Sequence, residues 1–424
     1  MRISFLGFKI NLVYLFAGIT PIFYYGGIDL RPPVTMQQVA FFQVICLALL
    51  ASSVYNKWLG LYAFWVCAQA LFVETNGFLT EGMFIGMGLM AYHLIYTSKH
   101  ELKYLPIVLS VVLVINIAFC ILQYYAKDSY FMFDNLQSSG LFLLPVYLGM
   151  YAALSAPFLL SWNKLGWLLA VICVLFSRSS LCVGGLALGT MFYIYHKHRP
   201  IFVKSSIALV ILASIFIFLK DMPSGEFSRR LPVWNMVFSK AMRSPYWGYG
   251  SQGYDKTLFL EFSSGNTGET KTYLFNTTVK PENEAPIKDI ILKIAKENNV
   301  DTTRLEAVHF KDKAGVFANL KGVMDELRGR GLGGYTWLHS HNEFLQIFYN
   351  QGVIGLLIIG GFILGIFKRF KNASKEQAGL MGSFIALLCI AQVQFPLYLP
   401  CVAVLVITLT ALLDRSLDRE YYID

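Results

Sequence analysis

The chain has 424 residues, of which 56% are hydrophobic and only 14% charged, whereas a soluble globular domain carries about 25% charged residues. So little polar surface excludes an ordinary soluble fold. The net charge of +9 comes mostly from short loops and gives no support to nucleic-acid binding.

Apolar runs near the ~20 residues needed to cross a bilayer predict spans near 5–25, 37–55, 58–74, 78–97, 104–125, 139–161, 164–177, 180–196, 201–219, 344–367, 377–393 and 397–413. The expected fold class is therefore an all-α polytopic membrane protein. It has about 12 transmembrane helices and one large extracytoplasmic loop containing a small polar insert. The first span is expected to remain on the chain, because no small-residue cleavage site follows it. Three regions follow: a nine-helix membrane region at 1–219, the loop at 220–343, and a three-helix membrane region with a short cytoplasmic tail at 344–424.

Basic residues set the orientation. With the N-terminus cytoplasmic, the short inner segments hold fifteen Lys and Arg, and the short outer loops hold only Arg31, Lys127 and Arg178. The other seventeen lie in the long loop beside fifteen acidic residues, so that loop is nearly neutral. Both termini are then expected on the cytoplasmic side, with the loop periplasmic. All seven cysteines fall in predicted spans, which argues against a disulfide framework or cysteine metal site in the loop.

Within the loop, Val233 through Met242 has apolar residues at helical spacing and reads as an amphipathic helix near the membrane surface. Arg229 and Arg230 precede it, and turn residues with interfacial aromatics follow from Ser244 to Tyr254. The insert, at about 255–335, is polar. Ile287–Ala295 and Val316–Leu327 have helical period there, and Thr272–Val279 and Leu305–Phe310 are candidate strands. The loop closes on Trp337-Leu338-His339-Ser340-His341-Asn342-Glu343. Ser340 with Glu343 is a capping-box pattern ahead of an apolar helical run, which predicts Ser340 as N-cap and His341 as the first helical residue. The positive end of a helix attracts anions and keeps a histidine neutral, able to accept a proton. The alternative for His339 and His341 is a plain interfacial role, as snorkelling is for Arg178 and headgroup contact for Arg229 and Arg230.

Absences narrow the class. There is no phosphate-binding Gly-rich loop ending in Lys-Ser/Thr, no His-Glu-x-x-His, and no paired Asp motif on an outer face. Carboxylates inside the spans are scarce, Glu81 being the clearest, which weakens an ion-coupled transporter reading.

These residues resemble the O-antigen ligase/polymerase superfamily. His341-Asn342, nine residues, then Gly352-Val353-Ile354-Gly355 looks like its His-[Asn/Ser/Gln]-x9-Gly-x-x-Gly motif, a spacing His339 does not meet. Ser177-Arg178 is similar to its Ser-Arg turn. Arg230-x3-Trp234 with Pro245-x2-Gly248-x-Gly250 resembles its loop stretch, and Ser139-Gly140-Leu141-Phe142 with Pro145 its entry to a middle span. The resemblance covers roughly 135–370; the insert does not align, so a second loop arginine cannot be carried over.

The resemblance implies a glycosyltransferase in the bacterial cytoplasmic (inner) membrane that needs no metal or other cofactor. It implies a donor glycan on a polyprenyl diphosphate, a glycolipid or glycan acceptor, and His341 as general base. Arg178 and Arg230 would bind the diphosphate. Ser340, Asn342, Glu343, Gly352, Gly355, Trp234, Gly248 and Gly250 would support the motif. The closest implied activity is that of an O-antigen ligase, with a polysaccharide polymerase or a protein O-oligosaccharyltransferase as alternatives. A non-enzymatic transporter of lipid-linked glycans is the alternative of another class.

Overall fold

The computed structural model describes residues 2–5, 8–11, 56–72, 88–89, 91–97, 104–125, 138–142, 144–197, 226–250, 254, 257–264, 272–297, 332–336, 339–370 and 374–418. They are mostly helical, in the order β1 (Arg2–Phe5), β2 (Phe8–Asn11), α1 (Lys57–Phe72), α2 (Leu105–Tyr125), α3 (Pro145–Trp162), α4 (Lys164–Ser177) and α5 (Ser180–Lys197). Then come α6 (Glu226–Ala241), β3 (Thr257–Ser264), β4 (Thr272–Thr278), α7 (Glu284–Glu297), β5 (Leu332–Thr336), α8 (Glu343–Arg369), α9 (Lys375–Ala391) and α10 (Pro400–Leu417). Two of these, α2 and α8, are long and apolar enough to cross a membrane by length and composition. The spans expected at 37–55 and 201–219, and most of those at 5–25 and 78–97, lie outside the described residues.

Two expectations are corrected. At the start of the span expected at 5–25, residues 2–5 and 8–11 instead form an antiparallel pair, β1 with β2, in which Ile3 faces Ile10, Ser4 faces Lys9 and Phe5 faces Phe8. The alternation of apolar and polar residues has period two there, which suits a strand and not a helix. Nor is the chain all-α, because the insert contains a three-stranded antiparallel sheet in the order β4-β3-β5. Its central strand β3 buries three consecutive apolar residues, Leu258, Phe259 and Leu260, so both faces of the strand are covered and the two-residue alternation that advertises a strand is missing. Of the candidate segments in the insert, Thr272–Val279 forms β4 and Ile287–Ala295 forms the middle of α7. Leu305–Phe310 and Val316–Leu327 lie outside the described residues.

The chain divides into two compact units: Met1–Phe64 with Gly82–Asp221 and Ile358–Asp424, and Trp65–Glu81 with Met222–Leu357. In the first, α3 packs on α4, α5 and α9 around one large apolar core. Helices α5 and α9 approach through Gly189 and Gly382, where an added Cβ would come within 2.6 Å of the opposing backbone oxygen; small residues are what permit such contact between apolar helices. Helix α2 buries Leu109, Leu113, Asn116 and Gln123 and exposes Ile107, Val111, Val114 and Leu122. Its outward face is thus as apolar as its inward one.

In the second unit a smaller core joins Val233, Val237 and Ala241 of α6 to Tyr254, Phe259 of β3, and Phe348 and Tyr349 of α8. Thr257 and Tyr349 add a hydroxyl–hydroxyl bond of 2.6 Å. The insert's first strand is therefore part of the same packed body as the start of α8. It is not an appended domain.

Candidate active site

The turn before α8 departs from the expected capping box. The helix starts at Glu343, and Asn342 is its cap: its Oδ1 accepts from the Leu345 N–H (2.9 Å) and its carbonyl from the Gln346 N–H (2.9 Å). Ser340 is engaged elsewhere. Its hydroxyl donates to Asn342 O (2.8 Å), its N–H donates to Gln346 Oε1 (3.0 Å), and its carbonyl accepts from Trp234 Nε1 (2.8 Å). Asparagine is an equally good cap, so it serves the helix while Ser340 ties the turn down.

His341 stands between these two anchors, half-buried, with φ at +51°. Left-handed backbone is uncommon outside glycine and costs about 1–3 kcal/mol, so it persists only where surrounding contacts enforce it. Here the Ser340 and Asn342 bonds enforce it. The helix starts two residues later, so His341 precedes the helix N-terminus and is not part of it.

Helix α6 also departs from expectation. It begins at Glu226, so Arg229 and Arg230 lie inside it, although Pro232 is within its span. Arg230 is 5% exposed and lies on the flank that carries Val233, Val237 and Ala241 into the core. Trp234, one turn on, carries the bond to Ser340, so the Arg-x3-Trp stretch and the histidine turn are parts of one assembly.

The two glycine motifs interlock. Gly352 interrupts α8 with φ 69° and ψ −171°, and a Cβ there would lie 2.1 Å from the Tyr246 carbonyl oxygen, so the position admits only glycine. The Val353 N–H, which an unbroken helix would return to Tyr349, donates instead to Pro245 O (2.7 Å). The carbonyls released by the break are taken up one by one. Tyr349 O accepts from the Tyr249 N–H (2.9 Å), and Asn350 O from the Gly250 N–H (2.8 Å) and from Gln69 Nε2 (2.7 Å). Gln351 O accepts from Trp65 Nε1 (3.1 Å). Gly248, at φ 67°, lets its turn lie against Asn350, whose carbonyl oxygen would be 2.5 Å from an added Cβ. Gly355 leaves room for the buried Gln351 side chain, which a Cβ would meet at 2.6 Å.

Beside this turn, Lys240 lies over the Tyr249 ring at 5.7 Å, and the Tyr249 hydroxyl donates to Lys240 O (2.9 Å). Partial burial, with Arg243 nearby, lowers the Lys240 pKa, while burial raises that of Tyr249. Both residues are held toward their neutral forms.

Arg178 belongs to the first unit. It terminates α4 with φ 49° and ψ 23°, its N–H donating to Leu175 O (3.2 Å), and its side chain is exposed. This is the position where helices usually place glycine. Among the described non-glycine residues only Arg178 and His341 have positive φ. Ser177 fixes the turn from below, its hydroxyl donating to Val174 O (2.7 Å) and accepting from the Ser179 N–H (3.4 Å).

Sequence reasoning missed the polar side chains that hold the motifs. Asn116 Oδ1 accepts from the Leu141 N–H (2.9 Å), and Gln123 Oε1 from the Ser139 and Gly140 N–H groups (3.2 and 3.0 Å), so α2 carries the Ser139–Phe142 turn. Trp65 and Gln69 do the same for the break in α8. The available signal was a neutral polar residue inside an apolar run, which marks a site where backbone needs a partner.

Fold and site together define a mainly helical protein with apolar helices of membrane-crossing length and a strained histidine turn ahead of a broken helix. The family model described as O-antigen ligase matches residues 165–280, which supports the resemblance read from the motifs. The match contains Arg178, Arg230, Trp234, Gly248 and Gly250, and stops short of His341. No curated protein matches the chain.

Proposed function

We propose that the chain is an O-antigen ligase-like glycosyltransferase of the bacterial cytoplasmic membrane. It moves a glycan from a polyprenyl diphosphate to an acceptor hydroxyl on the outer side. One observation carries the assignment of the site: of the three residues that the motif resemblance singles out for chemistry, His341, Arg178 and Arg230, the first two are the only described non-glycine residues with left-handed backbone. Such strain is retained where geometry serves function. The family match at 165–280 and the outward apolar face of α2, which suits lipid better than water, support the reading.

In this reading, about twelve spans place the loop and the histidine turn on the periplasmic side. His341 takes the proton from the acceptor hydroxyl as that oxygen attacks the anomeric carbon. The bond from that carbon to the phosphate oxygen breaks, its electron pair leaves with the polyprenyl diphosphate, and a new glycosidic bond remains. Arg230 stabilises the charge that develops on the leaving diphosphate, with bidentate guanidinium geometry suited to it. Diphosphate binding is also the role proposed for Arg178.

The test is His341→Ala in membranes that hold the protein at its normal level. Transfer of labelled glycan off the lipid should fall at least about 100-fold, the usual worth of a positioned general base. Undiminished transfer would remove His341 from the chemistry and favour a transporter of lipid-linked glycans.

A further inference from the structure

We propose that Gln69 is a positioning residue for this site, with Trp65 as its partner, and that it works by holding the break in α8 against the Pro245–Gly250 turn. The inference rests on the transferase reading above. Gln69 is 1% exposed and reaches two segments far away in sequence: its Nε2 donates to Asn350 O at 2.7 Å and also to Trp247 O. One amide nitrogen thus joins the helix break to the glycine turn. Both contacts are to carbonyl oxygens, which can only accept, and this fixes which end of the amide faces them. Gln69 Oε1 is buried without a partner among the described residues, so only the donor half is engaged.

Trp65, four residues earlier on α1, repeats the arrangement. Its indole N–H donates to Gln351 O at 3.1 Å, and its ring stacks on Trp247 at 5.1 Å. One turn of α1 therefore serves the break twice and braces the turn twice. The stretch from Glu343 to Gln351 behaves as a short helix whose last carbonyls need donors. Its other end is fixed at the Ser340–Asn342 turn that shapes His341. If the donors at the break are lost, the stretch is free to shift as a unit, and His341 shifts with it. A displacement near 1 Å can cost about 100-fold in rate.

The experiment uses full-length protein in vesicles made from the cells that express it, which contain their own acceptor. The probe is a radiolabelled polyprenyl-diphosphate-linked glycan, and label leaving the lipid is counted across donor concentrations. Three variants separate the roles of the side chain. Gln69→Met keeps size and removes the donor, and Gln69→Glu puts an oxygen against both carbonyls. Gln69→Lys keeps donors and adds a positive charge, which the carbonyl end of a helix favours. The Met and Glu variants should lose about 10- to 100-fold in kcat, with donor KM within about threefold of wild type. The Lys variant should return to within about threefold of wild-type kcat. Wild-type turnover by the Met and Glu variants would overturn the proposal. So would equal losses in all three accompanied by an equal drop in thermal stability, which would mark Gln69 as a packing residue only. Failure of the underlying reading looks different: no label leaves the lipid in wild-type vesicles, or His341→Ala releases it normally, and the positioning role then falls as well.

Discussion

Up to its break, helix α8 is held by neutral donors: the N–H groups of Tyr249 and Gly250, the Gln69 amide and the Trp65 indole. At its other end Arg369 pairs with Asp418 at 2.9 Å and with Asp414, which is 1% exposed. Asp414 also accepts from Asn56 at 2.8 Å and from the Tyr92 hydroxyl, and Tyr96 donates to Asp418. The same helix is thus anchored by dipoles where it bends and by charges where it ends. Dipoles can hold a backbone open without placing a fixed charge at the break. Ion pairs that are buried and fully bonded lock helices together, and removing one partner leaves the other charge stranded.

The sharpest way to test that contrast is to spoil one end at a time. Gly352→Ala forces a Cβ into the Tyr246 carbonyl and a side chain onto left-handed backbone. Transfer should fall more than about 100-fold, because the His341 stretch is displaced, while Arg369 and Asp414 remain paired. Turnover per folded molecule is the measurement, and a Gly352→Ala protein with normal kcat would show that the break is incidental. Asp414→Ala should do the reverse. Loss of the buried partner from this partly buried charged cluster costs up to about 3–5 kcal/mol of stability, read from thermal or denaturant unfolding in detergent, with kcat of the surviving folded protein within about twofold.

A smaller effect separates the turn held by α2 from both. Asn116→Leu keeps the branched side-chain shape and leaves the Leu141 N–H without its acceptor. An unsatisfied buried donor costs about 1–3 kcal/mol, so the melting temperature should drop by less than in Asp414→Ala. An equal drop would mean that the Ser139–Phe142 turn matters to the fold as much as the ion pairs do.

How far these features were legible depended on the range of the interaction behind them. Helices α2, α4 and α5 lie within a residue or two of the predicted spans, because length and continuous apolar character are local properties. The glycines at 248 and 352 were placed by motif, and their geometry then explained the spacing: each admits the other segment's backbone. What stayed hidden was set by partners distant in the chain. Ser340 looked like a cap until Trp234 and Gln346 claimed it, leaving the cap to Asn342. Arg230 was read as preceding a helix because apolar residues at helical spacing begin only at Val233, yet the helix starts four residues before Arg230, at Glu226. Gln69 could be noticed as polar in an apolar run, but nothing in its neighbourhood points to Asn350, 281 positions away.

The smallest effect concerns Lys240, which lies over the Tyr249 ring. Lys240 has its pKa lowered from the usual 10.5 by burial, with Arg243 adding to it. A base with a depressed folded-state pKa binds fewer protons folded than unfolded, so folding becomes more favourable as pH rises from that depressed value toward 10.5. Tyr249 opposes this only above its usual 10.0, where its raised pKa makes the unfolded chain lose the proton first. The window just below the usual Tyr249 value of 10.0 therefore reports on Lys240 without Tyr249. Wild-type melting temperature should climb slightly across that window, and Lys240→Met should flatten the climb while keeping the stem that packs beside Tyr249. Lys240 is only half-buried, so the change is small. A Lys240→Met profile that climbs as steeply as wild type would assign the pH dependence to another group.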